Sequence, residues 1–312
     1  MKTWDVNEKQ YDMQNGYFLI KADFDLFIKN FIIYSTHNMW LFDDFKNMYD
    51  KITQSEKETL IDKVFWIEYN DVRIGGAVIS PKNLYGCFLI PPFENRYIVF
   101  DKLNKLLSAW SEKGDEITVR VSSHEEKNVF ISLGYKIQKE RCVMIRPTDK
   151  YEIIWDNEVN INIPDTNDID KLAHFFINAH IGSSDDKGQS QEAFDNEVNQ
   201  LKYFFNIFEN NGSLHHSCFV RDKLSSIIIG ACIAGKDDGE PYEYTGIVDV
   251  AVLPEYRGRN IARNMIKYTM TTASDTCSAI TLGVTIGNDA QSLYTKLGFV
   301  SGSIFTTLTR TC

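Results

Sequence analysis

Arg257, Gly258 and Arg259 stand between an apolar, β-branched run at residues 248–253 and a helically spaced run that begins at Asn260. Residues of these types in that order suit an anion. Backbone N–H groups at a helix start lack intrahelical partners and sit at the positive end of the helix dipole, so the turn can receive a pyrophosphate. Asp249 lies inside the apolar run, where an unpaired carboxylate is costly. That makes it a candidate for chemistry, or else a structural acceptor for backbone or for Arg257. Farther along, Asn288 opens a short run that carries Tyr294 and ends in Leu297, Gly298 and Phe299. Taken alone, Asn288 reads as a helix N-cap and Tyr294 as a core aromatic on a helix.

These groups need particular elements to hold them. Residues 248–253 have the character of a buried strand, Pro254 stops its ladder, and residues 260–272 carry helical spacing. Residues 279–285 read as another strand, and Gly298 can take the left-handed conformation that ends a helix.

The turn resembles the acyl-CoA-binding motif of the GNAT superfamily of N-acyltransferases. That motif reads Gln or Arg, two residues, Gly, one residue, then Gly or Ala; here it is Arg257-Gly258-Arg259-Asn260-Ile261-Ala262, with Asn260 in the usual glycine position. Asn288, the short helix with Tyr294, and Leu297-Gly298-Phe299 resemble the second hallmark of that family. Two motifs in order are more specific than either alone. The resemblance implies acetyl-CoA as co-substrate, its pyrophosphate on Arg257, Gly258, Arg259, Asn260, Ile261 and Ala262. It also implies a thioester carbonyl near backbone N–H groups of Val250, Ala251 and Val252, where the family has a β-bulge, and Asn288 on pantetheine or on the tyrosine helix. Tyr294 is then the general acid that protonates the leaving thiolate, and Glu243, Tyr244 and Asp249 are the candidates for general base.

Composition narrows the classes. A formal net charge of −10 over 312 residues argues against non-specific binding to nucleic acid or to acidic lipid. Six cysteines, at 87, 142, 218, 232, 277 and 312, form no CxxC pair and no Cys/His cluster with metal spacing, so no metal is expected. Cys87 and Cys232 sit in apolar runs and read as small core residues. The start lacks the apolar stretch of a signal peptide, and no segment reaches the roughly 20 apolar residues of a membrane span. A cytoplasmic location and no membrane partner are expected.

The chain also repeats itself. Residues 64–69 and 73–79 are echoed by 218–221 and 227–233, residues 87–92 by 250–254, and 130–135 by 294–299. The expected fold is mixed α/β: two tandem GNAT-like domains, each a mostly antiparallel mixed sheet flanked by helices, at 1–148 and 149–312. The first copy has Pro91, Pro92, Phe93, Glu94, Asn95 and Arg96 where the second has its Arg-Gly-Arg turn, Phe130 opposite Tyr294 and His124 opposite Asn288. Without the glycine turn and the hydroxyl it is expected to be degenerate, leaving acyl transfer to the second copy. The loop at 181–188 is either a substrate-selecting element or a solvated connection, and His215 and His216 are expected to face solvent. The activity implied is transfer of acetyl from acetyl-CoA to a primary amine of a small molecule, by a monomer. The alternatives are a CoA-responsive regulatory module with decayed catalysis, or an aminoacyl transferase of peptidoglycan precursors.

Overall fold

The chain forms two compact units, Met1–Cys142 with Gly302–Cys312, and Val143–Ser301. The computed structural model describes residues 3–35, 60–93, 95–236 and 244–312; Glu94 and Glu243 lie outside them.

In the first unit, residues 64–67 read Val-Phe-Trp-Ile with every side chain buried, as expected of a strand covered on both faces. This strand, β3 (Val64–Tyr69), lies in a sheet with β1 (Gln10–Asp12), β2 (Tyr17–Lys21), β4 (Val72–Ser80), β5 (Asn83–Leu89), β6 (Glu116–Val121) and β13 (Val300–Thr311, from Gly302 on), in the order β1-β2-β3-β4-β5-β6-β13. All neighbours are antiparallel except β5 and β6. Helix α1 (Phe24–Ser35) buries Phe24, Phe27, Ile28 and Phe31, one stripe at helical spacing, against Trp66, Val78 and Phe88. Helix α2 (Arg96–Trp110) covers the other face, packing Val99, Phe100, Leu103 and Leu107 with Leu19, Phe65, Ile67 and Ile79. Helix α3 (His124–Ser132) adds Phe130 to the same core.

The last strand of this unit comes from far along the chain. Thr306–Thr311 of β13 pair antiparallel with Val121–Glu116 of β6, residue against residue. Leu308 is fully buried in the α2 core, Thr306 donates its hydroxyl to Glu140 at 3.1 Å, and Arg310 donates to Leu133 O and Ser108 Oγ. The compact units therefore differ from a division at 148/149: the break falls at 142/143, and residues 302–312 belong to the first unit because their apolar side chain and ladder are used there.

In the second unit, Asp165 and Asp168 form a capping box ahead of α4 (Ile169–Ala179), and Ser190 accepts from Ala193 N to start α5 (Gln191–Asn210). Their apolar faces meet: Leu172, Phe176, Leu201, Phe205 and Phe208 pack on Phe219, Ala231, Ile233 and Ala251 of the sheet. That sheet runs β7 (Lys136–Pro147, from Val143 on), β12 (Ala279–Thr285), β11 (Tyr244–Val252), β10 (Ile228–Lys236), β9 (Cys218–Asp222), β8 (Val159–Asn162). β8 to β11 are antiparallel and β11 pairs β12 in parallel. Helix α6 (Ile261–Ala273) lies on the opposite face; a Cβ on Gly230 of β10 would stand 2.9 Å from Ile261 Cγ2. A short helix, α7 (Ala290–Lys296), follows β12. The six cysteines form no disulfide, and among the described residues no helix is long and apolar enough to cross a membrane.

Candidate active site

The turn before α6 departs from ordinary backbone at two positions. Gly258 has φ +80° with open space where a Cβ would stand, and Asn260 has φ +59°, ψ +13°, fully left-handed. Asn is among the few L-residues that visit this region readily, so the departure from glycine at 260 keeps the turn geometry. Asn260 precedes the helix without capping it by its side chain. The first N–H groups of α6, starting at Ile261 and Ala262, are left for another acceptor. Replacing Asn260 by Ala should cost about 1 kcal/mol, while Gly should be neutral or slightly stabilising; urea denaturation midpoints of the two variants check this.

The two arginines of the turn have different tasks. The Arg257 guanidinium donates to Ala179 O at 2.8 Å and to Val252 O at 3.2 Å, tying the last carbonyls of α4 to the end of β11. Asp249 does not meet Arg257. Arg259 is exposed, its guanidinium 5.0 Å from the Tyr256 ring centroid.

β11 parts from β12 just before this turn. The parallel register runs from Tyr244↔Ala279 to Ile247↔Leu282, and β11 then continues to Val252 in register with β10. Between Asp249↔Ile233 and Ile247↔Ala234 the register shifts, leaving Val248 as the extra residue of a β-bulge. The bulge therefore lies before the stretch 250–252 where it is expected. It carries Val248 and Asp249 together to the α4/α5 face. Leu253 N donates to Ile229 O at 3.0 Å; because backbone groups alternate along a strand, the N–H groups of Val250 and Val252 face away from β10, into the parting, and that of Ala251 faces β10.

Tyr294 lies on α7 and is 7% exposed. Burial, followed by the neighbouring Cys232, Asp249 and Asp185, pushes its phenol well above the ordinary value, so it stays protonated as a donor. Its hydroxyl has no hydrogen-bond partner among the described residues. Asn288 stands one residue ahead of the N-cap of α7, which is Asp289, and its Oδ1 accepts from Ala290 N at 2.9 Å. Its Nδ2 donates to Asp185 Oδ2 at 3.1 Å and to Ser184 Oγ at 3.2 Å, and Thr285 donates to Asp185 Oδ1 at 3.0 Å. The loop at 181–188 is thus tethered to the end of β12. Asp186 braces it by accepting from Gly182 N and Gly188 N, each at 2.8 Å.

Asp249 is part of a charged group that sequence reasoning missed. His180, the residue that ends α4, places Nε2 3.0 Å and 3.2 Å from the two carboxylate oxygens. Lys187 Nζ lies 3.9 Å from Asp249 Oδ2 and also binds the buried Glu197. Burial alone would lower the His180 imidazole; the hydrogen bond and charge of Asp249 outweigh it and raise the group above its ordinary 6.5. His215 is exposed as expected, but His216 is fully buried, because Thr245 meets its Nδ1 at 3.1 Å inside the core. Burial, then His215 and Lys236, depress it to about 4, which keeps it neutral. Among the described residues no group of three or more His, Cys, Asp or Glu is placed to hold a metal ion. Tyr244 is half-buried at the start of β11.

Residues 184–299 match the model of the Acetyltransferase (GNAT) family. This segment is a GNAT domain. The whole chain has the fold of solved GNAT structures at low identity. A GCN5-related N-acetyltransferase from Sphaerobacter thermophilus superposes with a TM-score of 0.66 at 12% identity, covering 96% of each chain. The tandem GNAT protein from the clavulanic acid biosynthesis pathway gives 0.54 at 9% identity, covering 95% of this chain and 98% of that one. The glucosamine N-acetyltransferase region of a fungal multi-domain GH3 β-N-acetylglucosaminidase gives 0.58 at 9% identity, over 94% of this chain and 38% of that one. No curated protein matches the chain in sequence.

Among the described residues the first unit differs from the GNAT domain at the two corresponding places. Its helix α2 is closed by its own residue: Asn95 Oδ1 accepts from Ile98 N at 3.2 Å, taking an N–H that is open at the start of α6. Phe130, fully buried, packs edge-on to Tyr135 at 5.2 Å and offers no hydroxyl.

Proposed function

We infer that the protein is an acyl-CoA-dependent N-acyltransferase whose working site is the GNAT domain, moving acetyl from acetyl-CoA to a primary amine of a small molecule. The observation that carries this reading is the conjunction at one end of β11. The strand parts from β12, its Val250 and Val252 N–H groups face the parting, and the chain runs straight into an uncapped helix start. Those donors fit the two acceptor ends of acetyl-CoA, a thioester carbonyl and a pyrophosphate. Tyr294 supplies a protonated phenol, held in that form by burial, as general acid for the departing sulfur. Acetyl rather than a longer acyl group, the small-molecule amine, and the degenerate role of the first unit belong to the same proposal.

A charge placed in the first turn of α6 tests it. Ala262→Asp puts a carboxylate beside the N–H groups, which favours the helix and repels a pyrophosphate. Titration calorimetry with acetyl-CoA should show about one site per chain in the wild type. Affinity in the variant should be weaker by tenfold or more, about 1.4 kcal/mol, with no loss of thermal stability. Equal affinity in both proteins, or no binding to the wild type, would overturn the reading. Retained binding with no thiol release in the presence of amines would favour a CoA-responsive module instead.

A further inference from the structure

Acyl transfer to an amine releases a proton from the attacking nitrogen, and Tyr294, kept protonated, cannot take it. We propose that His180 is the general base of this reaction and that Asp249 is its positioning residue, the imidazole taking the proton directly from the acceptor amine. The proposal rests on the acyltransferase reading above.

The geometry is that of a histidine prepared by a carboxylate. Both Asp249 oxygens lie within hydrogen-bond reach of Nε2, and a carboxylate only accepts, so Nε2 carries the proton and the neutral ring leaves Nδ1 bare. Nδ1 has no hydrogen-bond partner among the described residues. The fully buried side-chain atoms left without partners there are His216 Nε2 and Arg310 Nε, so His180 Nδ1 keeps some exposure, on a side chain that is 14% exposed. The ring is held nearly parallel to Phe176, centroids 6.1 Å apart and 13° between planes. Asp249 shares this face with Ala251 and Leu253 by strand alternation, and the β11 bulge sets Val248 beside it, at the point where the strand parts from β12. Asp249 itself is a poor candidate for the base, since its oxygens already face His180 and Lys187.

The surrounding charges set the pH behaviour. Asp249 of β11 and Asp185 of the 181–188 loop favour the imidazolium, and Lys187 of that loop opposes it. Asp186 feels the His180 charge in turn. Glu197 of α5 holds Lys187. Cys232 of β10, pushed up to about 12 by burial, and Tyr294 of α7 stay neutral nearby. Asp249 and Asp185 act on both His180 and Tyr294, which places base and acid in one field. As the reaction proceeds, the N–C bond forms and the C–S bond breaks. His180 Nδ1 takes the nitrogen's proton, Tyr294 gives one to sulfur, and solvent returns the proton from the imidazolium to the phenolate. Asp249 stabilises the imidazolium between these events.

The test is the pH profile of kcat/KM for wild type, His180→Gln and Asp249→Asn, with acetyl-CoA and the least basic amine accepted from a panel that includes methoxyamine and trifluoroethylamine, both weaker bases than imidazole. Such an acceptor stays neutral, so an acid limb belongs to the enzyme. The wild type should lose activity as pH falls through a limb above 6.5. His180→Gln should lose that limb and about 10²–10⁴-fold in rate, with acetyl-CoA affinity unchanged. Asp249→Asn should move the limb below 6.5, since burial and Lys187 then act on the imidazole with less opposition. A wild-type limb surviving in His180→Gln overturns the base assignment and leaves the acyltransferase standing. Acetyl-CoA bound by the wild type with no thiol released to any amine overturns both.

Discussion

Tyr294→Phe should lower kcat about 10²–10³-fold while leaving acetyl-CoA affinity and thermal stability nearly unchanged. The rate effect follows from the role: a positioned acid contributes about 10²–10⁴ in general acid–base catalysis. The small stability effect follows from the structure, because the hydroxyl has no partner to lose among the described residues, and the ring contact with Phe299, 6.1 Å between centroids, survives in Phe. Thioesters with different leaving thiols sharpen the test. A weakly basic thiolate departs without a proton, so the deficit of the variant should shrink as the thiol becomes more acidic. In the wild type the same series should show a shallow dependence. Stopped-flow measurement of thiol release, with binding followed separately by calorimetry, reads both effects. An undiminished rate in the variant with acetyl-CoA would remove Tyr294 from the chemistry.

Leu308→Asp should unfold the first unit and spare the second. Leu308 is fully buried among α2 and β-strand side chains of the first unit, and burying a leucine is worth about 1.5–3 kcal/mol. An aspartate there adds the cost of an unpaired buried carboxylate, so the loss should exceed about 4 kcal/mol. The neighbouring ladder with β6, Thr306 to Thr311, would go with it. Acetyl-CoA binding should persist, because the proposed site lies wholly within Val143–Ser301. Hydrogen exchange read by mass spectrometry separates the outcomes: fast exchange in β3, β4 and α2 with protection kept in α6 and β10 supports the assignment. Uniform protection throughout would contradict it.

Much of the second unit was legible because its signals are local. Residues 279–285 form the expected strand, and the helix expected at 260–272 is Ile261–Ala273; apolar spacing and Pro254 suffice for these. Asn260 in a left-handed turn follows from its side chain alone. What the sequence does not carry is the identity of distant partners. The bulge falls at Val248 and not after it because register is a property of β10 and β11 together. Asp249 was visible as an anomaly, but His180 was not, since 69 residues separate them and the fold alone unites them. A histidine closing a helix before Gly182 reads as a simple stop. Paired histidines read as surface, yet Thr245, which receives His216, lies on another strand. The guanidinium of Arg257 goes to the Ala179 and Val252 carbonyls, which nothing local announces. Glu243, a candidate base by sequence, lies outside the described residues.

The strand drawn from residues 302–312 has a consequence for synthesis. Domains ordinarily fold in the order in which they leave the ribosome. Here Met1–Cys142 lacks the neighbour of β6 until residue 312 has been made, roughly 10–30 s later at ordinary elongation rates of about 5–20 residues per second. For that interval the edge of β6 and the cavity meant for Leu308 stay open, while Val143–Ser301 emerges as one uninterrupted segment. The earlier-made unit is thus the later to finish, and a chain cut short anywhere in β13 presents an unsealed sheet edge to chaperones and proteases.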